Sequence, residues 1–115
     1  MVKIEHYDFG KIVVDGKRYS RDIIITPTRI ISNWWRIEGH MLFLDDLKDV
    51  LNEEFEYLVV GTGYYGFMKV SDEVFKEMSR RNVKVIAKPT HEAVEEFNTL
   101  SSKGVKVVGA FHLTC

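Results

Sequence analysis

Leu58-Val59-Val60-Gly61-Thr62-Gly63-Tyr64-Tyr65-Gly66 is an apolar run that ends in Gly-x-Gly-x-x-Gly. That spelling belongs to the dinucleotide-binding turn, in which the glycines let backbone approach a pyrophosphate and the third glycine opens a helix. Here Phe67-Met68-Lys69-Val70 follow, with no helix start before Ser71. The acid expected about twenty residues further on, to hold a ribose, is replaced by Val83-Lys84-Val85-Ile86-Ala87-Lys88. The stretch therefore reads as a strand followed by a glycine turn, without the nucleotide. A narrower ligand reading stays open, because strand carboxyl ends in α/β sheets are common binding places and glycine turns can present N–H groups to an anion.

Working outward, the strand Tyr57 to Val60 is followed by Ser71, a cap for a helix with Asp72 and Glu73 in its first turn. Val83 to Ala87 reads as the next strand. Thr90 is placed as the cap of a second helix, in which Ala93, Val94, Phe97 and Leu100 recur at helical spacing until Lys103-Gly104. Val107 to Leu113 is nearly all apolar, as suits a central strand covered on both faces. Upstream, Asp15-Gly16 between Ile12-Val13-Val14 and Lys17-Arg18-Tyr19 signals a hairpin. Ile23-Ile24-Ile25 is a β-branched run stopped by Thr26-Pro27, and Asp45 to Leu51 reads as a short helix. The expected fold is α/β, with a layered sheet, helices packed on it and a β-rich N-terminal portion.

Length and charge narrow the function classes. The 115 residues suit one compact domain, residues 1–115, able to bury a core without a staple. A net charge of -1 gives no field for nucleic acid, although Lys17, Arg18 and Arg21 form a small basic patch. No run approaches a membrane span, the N-terminus lacks an apolar signal core, and the single cysteine fits a reducing cytosol. The absence of Gln beside many Lys, Arg and Glu leans toward a thermophile.

Candidate ligand residues are Arg36, His40, Gly61, Thr62, Gly63 and Lys88. Arg36 can grip a carboxylate or phosphate bidentately, or stack on Trp34 or Trp35. His40 follows Gly39 in a loop, where function concentrates. Thr62, Gly63 and Lys88 surround the glycine turn. His112 reads as a buried, hydrogen-bonded histidine more readily than as a ligand or base. Alternation puts Cys115 on the opposite face from His112, so a shared metal is not expected. No metal, no cofactor and no catalytic set is expected.

Taken together, Phe9-Gly10 with the hairpin to Tyr19, Asp22 to Pro27, Trp35-Arg36 with Gly39-His40, Asp46-Leu47, Leu58 to Gly66, Thr90 to Val94 and His112-Leu113-Thr114-Cys115 resemble a known family. It is that of the adipogenesis-associated Mth-domain-containing protein, shared with a mitochondrial complex I assembly factor, and the ending is similar to archaeal members. The resemblance implies a three-layer α/β fold, with a mixed central sheet of about five strands and an additional N-terminal β-hairpin layer. It implies partner binding more than catalysis and supplies no catalytic residues. The expectation is a cytoplasmic binding or assembly-type module with a protein partner or small ligand. The alternative is an anionic-ligand protein or enzyme using the Gly61–Gly66 turn with Arg36 and His40.

Overall fold

The computed structural model describes residues 2–115. Its centre is a five-stranded mixed sheet of β4 (Ile23–Ile25), β5 (Ile30–Ile31), β7 (Tyr57–Thr62), β9 (Lys84–Lys88) and β10 (Val107–His112), in the order β5-β4-β10-β7-β9. As its unbroken apolar run requires, β10 lies in the middle, parallel to β7 and antiparallel to β4. Parallel β9 closes the sheet beyond β7.

Alternation along these strands divides the core in two. Ile24, Leu58, Val60, Val108 and Ala110 face α1 (Asp72–Arg80), through Val74 and Met78, and the Trp34 loop. Ile23, Ile25, Val59, Val107 and Phe111 face α2 (Thr90–Ser102), through Ala93, Val94 and Phe97. Phe97 meets Phe111 edge to face at 5.6 Å, and the two rings fill the space over Gly109. A Cβ there would lie 2.5 Å from the Phe111 ring, so this central position requires glycine.

The N-terminal layer is the antiparallel sheet β1 (Ile4–Asp8), β2 (Lys11–Val14) and β3 (Lys17–Tyr19). Asp15 and Gly16 take positive φ at the β2–β3 turn, as the hairpin signal demands. Asn98 of α2 clamps this layer by accepting from Ile4 N–H at 2.9 Å and donating to Ile4 O at 2.8 Å. The buried Tyr7 hydroxyl donates to Leu113 O at 2.9 Å, just past β10, and burial pushes its pKa up to about 12. A two-stranded parallel pair, β6 (Met41–Leu42) with β8 (Lys69–Val70), completes the sheets.

Two local expectations change. The Asp45–Leu51 helix is a 3-10 turn, Leu44–Leu47, continued by further turns. Its bonds run from Lys48 N–H to Asp45 O and from Val50 N–H to Leu47 O, which brings Leu47 and Val50 into the core together. So short an element follows its packing more than its propensity. The Trp34–Arg36 segment is loop, with Trp34 buried and Trp35 exposed. Thr90 is the first helical residue rather than the cap: Pro89 holds that position, and the Thr90 hydroxyl is engaged elsewhere.

Candidate functional site

The register fixes what stands at the carboxyl end of β10. Phe111 pairs with Ile23 of β4, and His112 pairs with Thr62 of β7. Two residues beyond Ile24, Ala110 and Val60 on the same face come Asp22, His112 and Thr62, side by side. The Trp34–Arg36 loop folds over this end of the sheet. Trp34 is held by its backbone N–H on Asp22 O and its indole N–H on Asp46 O, both at 2.9 Å. Its ring lies beneath the Arg36 guanidinium, 5.0 Å from the centroid.

Asp22 is the hub. Its Oδ2 receives Arg36 Nη1 at 2.5 Å and stands 2.8 Å from His112 Nδ1, while Oδ1 accepts the Leu113 N–H at 2.8 Å. Burial works to raise its pKa, but the hydrogen bonds from His112, Arg36 and Leu113 outweigh it and hold the carboxyl below its ordinary value. The Arg36 side chain is 6% exposed, so this carboxylate is what compensates its charge.

The proton on the histidine follows from geometry. His112 Nδ1 also lies 3.0 Å from Arg36 Nη2, which can only donate. One Nδ1 cannot donate to Asp22 and accept from Arg36 at once. The shorter contact is to Asp22, and Nη2 has Gly39 O as an acceptor at 3.2 Å. Nδ1 therefore carries a proton toward Asp22, and in the neutral ring Nε2 is the nitrogen that holds the lone pair. Nε2 has no protein partner among the described residues and is not sealed from solvent. On that side of the ring, Cδ2 abuts the glycine turn: a Cβ on Gly63 would stand 3.0 Å from it.

The glycine turn is tied inward rather than open. Gly63 N–H donates to Thr90 Oγ1, Tyr64 N–H to Thr114 O, and Gly66 N–H to Gly63 O. Thr90 Oγ1 in turn donates to His112 O at 2.7 Å, so the cap expected for α2 joins the turn to β10. With these bonds made, Gly63, Tyr64 and Gly66 have no free N–H to offer an anion. Gly61 faces α2, where a Cβ would fall 2.8 Å from Thr90 Oγ1.

Of the residues singled out in the sequence, Arg36 meets His112 at the shared Asp22 Oδ2, and Thr62 is the register neighbour of His112. Lys88 does not join them. It pairs with Gly61, on the opposite face of the sheet, and binds Glu96 of α2 at 3.0 Å, which raises its pKa. His40 is exposed in the turn before β6, and its backbone carbonyl accepts from Lys69. The carboxylate that Arg36 grips is the chain's own, and Arg36 also stacks on Trp34. The sequence reading passed over Asp22 as a site residue. The one local signal was an acid set directly before a buried β-branched run, where a charge needs a partner.

Beside the turn lies a second feature. Phe9, Tyr65 and Phe67 are each at least half exposed and Tyr64 is half-buried. Ring centroids run 5.6 Å from Phe9 to Tyr64, 5.1 Å from Tyr64 to Tyr65 and 5.7 Å from Tyr65 to Phe67. The outermost two rings are stacked.

A mixed five-stranded sheet between two layers, with an aspartate–histidine–arginine cluster at the end of its central strand, defines a small α/β domain whose fold implies no particular chemistry. The chain belongs to the family described as protein of unknown function (DUF498/DUF598), whose model matches residues 4–112. It is similar over 98% of its length to the conserved hypothetical protein PH1505 from Pyrococcus horikoshii OT3, with 34% identity, a TM-score of 0.83 and 99% of that chain covered. Two more distant structures share the fold. One is a Mth938-like domain from Bordetella pertussis, with 22% identity, a TM-score of 0.69, and 96% of this chain and 85% of that one covered. The other is described as an outer membrane protein from Bartonella henselae, with 21% identity, a TM-score of 0.84, and 99% and 96% covered. No helix among the described residues is long and apolar enough to cross a membrane.

Proposed function

We propose that this domain is a cytoplasmic binding or assembly-type interaction module that docks a protein partner through the aromatic face of Phe9, Tyr64, Tyr65 and Phe67. The observation that carries the reading is that contiguous run of exposed rings on a fully built domain. Aromatic side chains give large contact area at low entropic cost and dominate binding hot spots. The β1–β2 turn and the tied glycine turn supply them, so the face is rigid before it binds. The test places a photo-crosslinking phenylalanine analogue at Phe67 and, as a control, at Lys17. One reproducible crosslinked protein from Phe67, lost in Phe9→Ser/Tyr65→Ser, is expected. Crosslinks from the two positions that cannot be told apart would reject the face.

A second reading rests on the free Nε2 of His112, whose ring Asp22 orients. In its neutral ring that nitrogen can accept a hydrogen bond from a small ligand bearing a hydroxyl or amide. Because Asp22 neutralises Arg36, a neutral donor fits better than a free anion. Native mass spectrometry after incubation with cell extract tests it: a small adduct lost in His112→Asn supports the reading, and adduct-free spectra reject it.

A further inference from the structure

On the outer side of the Trp34–Arg36 loop lies a cleft of about 420 Å³, bounded by Trp34 to Ile37 on one wall and Asp45 to Asp49 on the other. We propose that this cleft binds an arginine-bearing basic segment of a protein partner. The proposal rests on the interaction-module reading for the class of ligand only, since it uses a surface other than the aromatic face.

The first argument is apolar. Trp35 is 82% exposed and Ile37 72% exposed, on either side of Arg36 in the chain. Among the described residues no ring or cation covers the Trp35 indole, whereas Trp34 is covered by Arg36. The second argument is charge. Asp45, Asp46 and Asp49 face the cleft against Lys48 and Arg36, and neither Lys48 nor any of the three aspartates is in a salt bridge among the described residues. Arg36 is neutralised by Asp22.

The third argument is preorganisation. Asp46 Oδ1 accepts Ile37 N–H at 3.0 Å, its Oδ2 accepts Phe43 N–H at 2.8 Å, and its carbonyl takes the Trp34 indole. One residue thus staples both walls, so the cleft exists before a ligand arrives. An exposed indole beside unpaired carboxylates matches a guanidinium, which stacks on the ring and forks onto a carboxylate. An ammonium fits the charge but not the plane.

The test titrates the whole protein with the capped peptide Leu-Arg-Ala-Arg-Leu, followed by tryptophan fluorescence and calorimetry, with Lys-for-Arg and Glu-for-Arg peptides as comparators. Saturable, salt-weakened binding of the Arg peptide is expected, with no binding of the Glu peptide and weaker binding of the Lys peptide. Trp35→Ala should weaken the Arg peptide about three- to thirtyfold, the span of a cation–π contact. Asp45→Asn/Asp49→Asn should weaken it and flatten its salt dependence. All three substituted side chains are exposed, so the variants should keep the wild-type fold.

Absence of saturable Arg-peptide binding, or equal binding by Trp35→Ala, overturns the proposal. Arginine amide binding as tightly as the peptide replaces the partner with a small amine. Dimerisation abolished by Asp45→Asn/Asp49→Asn, without peptide binding, replaces it with a second copy. Phe9→Ser/Tyr65→Ser should bind the peptide like the wild type, so failure of the aromatic face and failure of this cleft read out separately.

Discussion

Replacing Asp22 by asparagine keeps the volume of the side chain and removes the one charge that holds the His112 cluster together. Asn can still accept from Leu113 N–H, but its amide nitrogen would confront the Arg36 and His112 donors that Oδ2 now receives. Arg36, with a side chain 6% exposed, is left as an unpaired buried cation. Breaking a buried pair in this way costs about 3–5 kcal/mol. Unfolding entropy for a chain of this length is roughly 0.24 kcal/mol per kelvin, so the melting temperature should fall by about 12–20 °C. The pH dependence has a definite sign. The folded pKa of Asp22 is depressed, so its contribution is full above the unfolded value of about 3.9 and is lost as pH falls through the folded value. The gap between wild type and variant should therefore be constant above about pH 5 and narrow below about pH 4. Adding Arg36→Met to Asp22→Asn should recover several degrees, because the orphan charge then disappears. Differential scanning calorimetry from pH 3 to 7 reads all three. A loss under about 4 °C, or no recovery in the double variant, would refute the claim that this pair is the structural hub.

Two further predictions concern the neighbouring elements. Gly63→Ala forces an L-residue to φ +108 with its Cβ 2.7 Å from Thr114 O, so it should cost about 2–5 kcal/mol and move the His112 ring resonances; a melting temperature within about 2 °C of wild type would reject the tightness of that turn. Glu77 receives Arg80 and Arg81, whose hydrogen bonds lower its pKa to about 2. NMR titration should find that midpoint in the wild type and a return toward an ordinary glutamate in Arg80→Gln/Arg81→Gln.

Much of the architecture was legible because it is periodic. The Asp15-Gly16 hairpin, the strand before the glycine turn, both helices and the unbroken run from Val107 each carry a pattern readable within a dozen residues, and the residues in between select little else. Legibility failed where a residue's role depends on a distant partner. Thr90 has the chemistry of a cap, yet its hydroxyl goes to Gly63 and His112 O because the glycine turn lies against it. Lys88 follows the glycine turn closely in space, but strand alternation sends it to α2 and Glu96. The apparent helix at Asp45 shortened to a 3-10 turn because that path brings Leu47 and Val50 into the core together.

The amino-acid sequence alone established the α/β class, the order of elements, the central place of the last strand and a β-rich N-terminal portion, since side-chain period and turn chemistry are local properties. Folding decided that Asp22 and His112, 90 residues apart, are hydrogen-bonded, that Arg36 is bound by its own chain, and that the aromatic rings and the acidic cleft are left facing water. Those outcomes depend on sheet order and register, which are set by how the two faces of the sheet pack, and no local stretch of sequence carries that information.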